Sequence, residues 1–227
     1  MSLNKNFDCR NIGKMSRILD FLKKYKLPEK TGIFTLDFET GGLKHYQDAF
    51  MSFTIKEYLT NWVKTYFFTP QQTKIYNLGA LEVNGLDFDF LSKNGIKKGD
   101  FVNELDMLFK DFEVIVLIGH NINGFDIKWL IQAYRESNKL GLLPPILTID
   151  TKEEAQYLKK QERLESLKLV NLFEFFIVEG VISVDRKYLL KDAHNSEPDV
   201  LMTEDVLDAI LQEKENKKDV VLEKEED

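Results

Sequence analysis

Cysteine occurs once in the 227 residues, at Cys9, so the chain can form no internal disulfide, and its three histidines leave no Cys/His cluster for structural zinc. No apolar run reaches the roughly 18 to 20 residues that a spanning helix needs, and residues 1–10 lack the hydrophobic segment of a signal peptide. No membrane contact and a cytoplasmic location are therefore expected. With 43% hydrophobic residues, the fold must rest on the packing of one ordinary core. No internal repeat or low-complexity linker divides the chain.

Arginine is also scarce, at five against twenty-six lysines, and charge is unevenly spread. Residues 1–30 carry eight basic and three acidic side chains, and residues 212–227 carry four and seven. Against the overall net charge of −7, that leaves an acidic body between them. Such a body argues against holding duplex DNA on a broad basic surface, because phosphate neutralisation supplies much of that affinity. It does not argue against holding nucleic acid through metal ions.

Residues 14–26 place Met15, Ile18, Leu19, Leu22 and Tyr25 at helical spacing, with Pro28 beyond. This predicts an amphipathic helix that either packs on the body or serves as a basic arm. A strand is expected at 31–38 and a hairpin over 75–91, turning at Asn84-Gly85. Between them, 44–74 reads as a long aromatic insert with a helix at 54–65. Thereafter helices are expected at 101–112, 124–138, 153–177 (one or two) and 199–212, strands at 114–119 and 146–150, and a solvated tail over 213–227. Strands alternating with helices indicate an α/β fold, a mixed sheet covered by helices.

Three groups of residues stand out. Asp37 and Glu39 end an apolar strand and share one of its faces, where a divalent cation would hold both ionised. Alone, the pair reads more readily as solvent-facing strand ends, since Asp87 and Asp89 have the same spacing in another expected strand. Residues 119–126 (GHNINGFD) follow a buried strand and open a helix, with Asp126 in its first turn. His120 reads as a hydrogen-bonded loop residue. Residues 194–199 (HNSEPD) precede the last helix, with Ser196 as its expected N-cap and Asp199 either a capping acid or part of a site. His194 lies on the loop entering the same place.

In this order, FTLDFET over 34–40, IGHN and FD over 118–126, and AHNSEPD over 193–199 resemble the DEDDh 3′→5′ exonucleases. That DnaQ-like family includes the proofreading epsilon subunit of bacterial DNA polymerase III, ribonuclease T and oligoribonuclease. Ile149-Asp150-Thr151, with Leu169, Leu172 and Phe175-Phe176, looks like the segment between the second and third motifs. The resemblance covers residues 31–211, framed by the helical extension 1–30 and the charged tail 212–227. It departs at Gly41, where a second threonine is usual, and in the insert.

The resemblance implies a ribonuclease-H-like fold and a two-metal exonuclease releasing nucleoside 5′-monophosphates from single-stranded nucleic acid, DNA favoured, with proofreading or repair as the expected setting. The partners implied are 3′ ends and a polymerase or other protein. Asp37, Glu39, Asp126 and Asp199 would hold two Mg²⁺ or Mn²⁺ ions, and His194 would act as base. Thr40, Leu43, Asn121 and Phe125 would border the terminal nucleotide. Two alternatives stay open, an RNA-directed exoribonuclease of the same family and an inactive binding module. Removal of residues 1–26 is expected to leave hydrolysis of a short strand largely unchanged.

Overall fold

The computed structural model describes the backbone of residues 12–223 and the side chains of residues 12–216. Cys9, the first basic residues and the end of the acidic tail therefore lie outside the described residues. Helix α1 (Ile12–Leu22) runs into a 3₁₀ turn and ends where Lys26 adopts a left-handed conformation, φ 49°. Its buried face, Ile18 and Leu22, packs with Ile33, Val116, Ile118, Leu207 and Leu211. Lys14 and Arg17 are spent on Asp205 and Asp208, at 3.0 and 2.7 Å. These contacts decide between the two readings of this helix: it is part of the body.

The sheet has the order β3-β2-β1-β4-β5, built from β1 (Thr31–Thr40), β2 (Phe50–Glu57), β3 (Val63–Phe67), β4 (Val114–Gly119) and β5 (Ile146–Asp150). Strands β1, β2 and β3 are antiparallel neighbours, whereas β4 and β5 run parallel to β1. The expected helix at 54–65 is thus replaced by strand, turn and strand. Its apparent helical spacing came from reading across the turn at 58–62, where Leu59 takes φ 58°. Strand β2 is buried on both faces, which removes the alternation that marks a half-exposed strand. Residues 50–67, expected as part of an insert, supply the antiparallel half of the sheet.

The hairpin at 75–91 is also corrected. Residues 78–84 form α2 (Leu78–Asn84), capped by the Asn77 side chain at its start and closed by Gly85 at φ 62°. Asp87 caps α3 (Phe88–Asn94) by accepting the Phe90 N–H at 2.6 Å, so Asp87 and Asp89 are helix-start residues. The left-handed geometry that suits Asn-Gly to a tight turn equally suits it to ending a helix. Local sequence does not distinguish the two.

Helices α4 (Lys98–Phe109) and α5 (Asp126–Glu136) cover one face of the sheet. Their core takes Phe34, Leu36 and Phe38 from β1 together with Phe101, Leu105, Trp129 and Tyr134. Beyond β5 the chain breaks into α6 (Thr151–Glu154), α7 (Gln156–Lys160) and α8 (Leu169–Val178), then reaches the long α9 (Ser196–Glu223). Helix α9 lies over β1 and β2 on the opposite face. It extends well past the expected end at 212. Glu213 meets the Tyr157 hydroxyl at 2.8 Å and the Arg163 guanidinium at 3.0 Å, so the beginning of the expected solvated tail is docked. Among the described residues, no helix is long and apolar enough to cross a membrane.

Candidate functional site

The period of β1 separates its side chains into two sets. Phe34, Leu36 and Phe38 enter the aromatic core, which leaves Thr35, Asp37 and Glu39 toward α9. The register shifts between Glu39 and Thr40, an irregularity of the kind that re-aims a strand end. Against this face α9 presents Asp199. Ligand oxygens of Asp37, Glu39 and Asp199 all lie within 4.8 Å of one another. Asp37 Oδ2 is buried and has no hydrogen-bond partner among the described residues.

Asp126, 2% exposed at the start of α5, stands beside this group rather than among the three clustered carboxylates, its Oδ1 accepting the Phe38 N–H at 3.0 Å. This bond ties α5 to β1 between Asp37 and Glu39. Burial is the main reason that all four carboxyls bind protons more tightly than usual. Asp37 is raised well above the ordinary range, with Asp126, Glu39 and Asp199 adding repulsion. Glu39 is pushed up to about 8 by burial, then by Asp199 and Asp126. Asp126 is raised to about 7 by burial, against the pull of the Phe38 N–H. Asp199 is raised to about 6 by burial, with the His194 N–H and imidazole opposing. Four carboxyls that resist ionisation together need positive charge to be held as carboxylates.

The structure brings His194 to the edge of this group. Its N–H donates to Asp199 Oδ1 at 3.3 Å, and its exposed side chain stands on a left-handed residue at φ 72°. Ser196 is the first helical residue rather than the expected cap. The Asn195 carbonyl accepts the Asp199 N–H at 3.1 Å, and the Ser196 hydroxyl points to the sheet, 2.7 Å from Thr54 Oγ1.

The loop after β4 is organised from β5. The Asp150 carboxylate accepts the N–H groups of Asn121 at 2.9 Å, Asn123 at 3.2 Å and Lys152 at 3.0 Å. His120 Nδ1 lies 2.9 Å from Thr151 Oγ1, and burial followed by Lys152 lowers its pKa to about 4. It is a hydrogen-bonded loop residue, as expected from the sequence. Asn121, at φ 62°, receives Lys152 Nζ at 3.2 Å on its side-chain oxygen.

A cleft of about 720 Å³ opens beside Glu39 and is lined by Thr40, Leu43, Phe125, Asn77 and Asn84 among others. It gathers three of the four expected substrate neighbours; Asn121 is not in its wall. The Thr40 hydroxyl is committed to the Gly42 carbonyl at 2.6 Å, while Leu43 is 84% exposed at the rim. Sequence reasoning missed Asn77 and Asn84. The Asn77 N–H bonds the Gly41 carbonyl at 2.7 Å, and Asn84 Nδ2 donates to the Thr40 carbonyl at 3.1 Å, fastening α2 to the end of β1. The departure at Gly41 has its cause here. A Cβ at Gly41 would come within 2.8 Å of the Ile75 carbonyl, and one at Gly42 within 2.3 Å of the Asp48 carboxylate.

No family model and no curated protein sequence matches the chain. Solved structures do. Exonuclease I of E. coli in complex with a 5cy-dT13 oligonucleotide superposes with a TM-score of 0.67 at 13% identity, over 86% of this chain and 43% of that one. A zinc-bound E. coli exonuclease I–ssDNA complex gives 0.66 at 15%, over 85% and 43%. Exonuclease I from Methylocaldum szegediense gives 0.63 at 16%, over 80% and 40%. This chain thus spans less than half the length of those proteins. What it shares with them is the fold, a mixed five-stranded sheet flanked by helices in the ribonuclease-H-like arrangement.

Proposed function

We propose that the chain is a metal-dependent 3′→5′ exonuclease acting on single-stranded nucleic acid, with DNA favoured, and releasing nucleoside 5′-monophosphates. The observation that carries this reading is the meeting of Asp37, Glu39 and Asp199 from two distant segments, with Asp37 Oδ2 buried and unpartnered. An all-oxygen donor set suits hard cations, and an orphaned buried oxygen fits a ligand atom. Asp37, Glu39, Asp126 and Asp199 would hold two Mg²⁺ or Mn²⁺ ions. When bound, such ions supply charge neutralisation at the scissile phosphate and activation of water.

The remaining steps belong to the chain's own residues. His194 takes the proton of the attacking water at an imidazole nitrogen, exposed where water reaches it. Thr40, Leu43 and Phe125 enclose the terminal nucleotide in the cleft beside Glu39, with the wall of α2 behind. Asn121 contributes from the adjoining loop. Leu78 and Val83, 76% and 57% exposed on α2, extend the apolar surface available for base contact. The DNA preference is supported by the oligodeoxynucleotides bound to structural neighbours, dT13 and dA16 among them.

The test is a 5′-labelled single strand with Mg²⁺. A descending ladder is expected, with resistance when the end carries a 3′-phosphate or the strand is circular. A faster ladder from RNA would transfer the substrate to the exoribonuclease reading. Cutting a circle, or releasing the 5′ label first, would sink the exonuclease assignment. No hydrolysis of any single strand would leave the binding module.

A further inference from the structure

The sheet face under α9 is unusually polar for a buried surface. In the β1–β2 ladder Glu39 stands opposite Ser52, Asp37 opposite Thr54, and Thr35 opposite Lys56. Helix α9 answers these rungs in order. The Ser196 hydroxyl lies 2.7 Å from Thr54 Oγ1 and 3.4 Å from Ser52 Oγ, and Thr54 continues to Thr65 Oγ1 at 2.8 Å. One and a half turns beyond Asp199, the Glu204 carboxylate receives Lys56 Nζ at 2.8 and 3.0 Å and the Thr35 hydroxyl at 3.0 Å. Both members of the ion pair are buried, with side chains 9% and 8% exposed. Asp199 lies between these two attachments along the helix, on the face of Ser196 three residues before it.

Polar groups in such a place are not the cheapest way to hold a helix on a sheet. Burying a charge pair costs several kcal/mol per ion in desolvation, and well-packed apolar residues of similar volume are often as stabilising or more so. What apolar contacts lack is direction. A helix resting on aliphatic side chains alone can rotate or slide with little penalty, whereas hydrogen bonds to particular rungs permit one register. Register matters here because the Asp199 carboxylate has to reach a cluster only 4.8 Å wide.

We propose that Ser196 with Thr54, and Glu204 with Lys56 and Thr35, are positioning residues that fix the register of α9 and thereby bring Asp199 to Asp37 and Glu39. The inference rests on the metal-binding reading of those carboxylates. It assigns to a buried ion pair and a hydroxyl pair a role in cation affinity rather than in stability.

The experiment is Mn²⁺ titration calorimetry on the full chain, with the metal-free melting temperature recorded alongside. The variant T35V/K56M/E204L replaces the ion pair and its hydroxyl by apolar groups, and S196A/T54V removes the other attachment while leaving the ion pair intact. T54S keeps the hydroxyl and serves as the conservative control. The ion-pair variant is expected to melt at or above the parent temperature, yet both clamp variants should bind Mn²⁺ about ten- to a hundred-fold more weakly, as when an outer partner of a ligand is lost. T54S should stay near the parent. Folded clamp variants with parental Mn²⁺ affinity would overturn the positioning role while leaving the metal site standing. A parent that binds no Mn²⁺ would overturn both.

Discussion

Asp37 is the residue on which the site's electrostatics turn. It is the carboxyl most crowded by others, and it carries the unpartnered oxygen. Asp37→Asn should abolish Mg²⁺-dependent hydrolysis and, at pH high enough to ionise the cluster, raise the melting temperature of the metal-free protein, because one buried carboxyl that repels the others when charged is gone. The sign of the pH dependence follows from the same shifts. Glu39 has a folded pKa of about 8 against 4.5 for the free side chain, so the folded state holds the extra proton. Its contribution to stability is present below the unfolded value and is lost as pH rises through the folded one. Metal-free protein in EDTA should therefore melt progressively lower from about pH 5 to pH 8, and Asp37→Asn should flatten that slope. A melting temperature that climbs over this range would contradict the crowding. For His194, replacement by Ala should lower the hydrolysis rate by about two to four orders of magnitude. Mn²⁺ affinity should stay near the parent value, since a residue that serves only as the proton acceptor gives the metal no ligand atom. Lost metal binding would make it a ligand instead.

At the scale of elements, the β1–β2 loop and α2 shape the cleft. Gly42 lies so close to Asp48 that any Cβ must displace its carboxylate, which also receives the Lys44 N–H at 2.8 Å. Gly42→Ala should cost about 1–3 kcal/mol of stability by overpacking. It should also raise KM for short oligonucleotides more than it lowers kcat, because Leu43 is displaced while the carboxylates are not. Equal effects on both would place the loop in the chemistry rather than in binding. The same loop accounts for the departure at Gly41, where residues 75–77 cross the end of β1 and leave no room for a side chain.

At the scale of the whole molecule, the placement of charge bears on how the proposed single-strand substrate would be held. Lys14, Arg17, Lys56 and Arg186 are all engaged by Asp205, Asp208 or Glu204, so much of the basic charge around α1 and α9 is consumed internally. Single-strand affinity should then fall only weakly with salt, with a slope near that of one to three phosphate contacts, roughly −0.7 per contact. A slope as steep as that of a basic-groove binder would refute this. Deleting residues 1–26 does not amount to removing an idle arm. It uncovers Leu207, Leu211, Val116 and Ile118, removes Arg17 from Asp208, and leaves Asp205 with Arg186 but without Lys14. The truncated chain should show a markedly lower melting temperature by circular dichroism, so the hydrolysis expected of it has to be read on the fraction still folded.

Taken one by one, the acids at the end of β1, at the start of α5 and ahead of α9 have ordinary explanations as strand-end, helix-start and capping residues, and it was their order along the chain that singled them out in sequence. Helices α4, α5 and α9 and strands β1, β4 and β5 were legible because each carries its own apolar pattern. Strand β2 was not, because burial on both faces erases alternation and leaves a short run that either period fits, and β3 was not, because its five residues, VKTYF, are mostly exposed or half-buried and carry almost no apolar pattern. Nor was α2, since Asn84-Gly85 supplies a left-handed residue that a hairpin and a helix end use alike. Only the folded chain joined Asp37 to Asp199, placed Ser196 on Thr54 instead of on its own helix, and closed the cleft with Asn77 and Asn84. Those are contacts between residues distant in sequence. They depend on how the sheet orders its strands and on where α9 comes to rest, and neither is written in the spacing of neighbouring side chains.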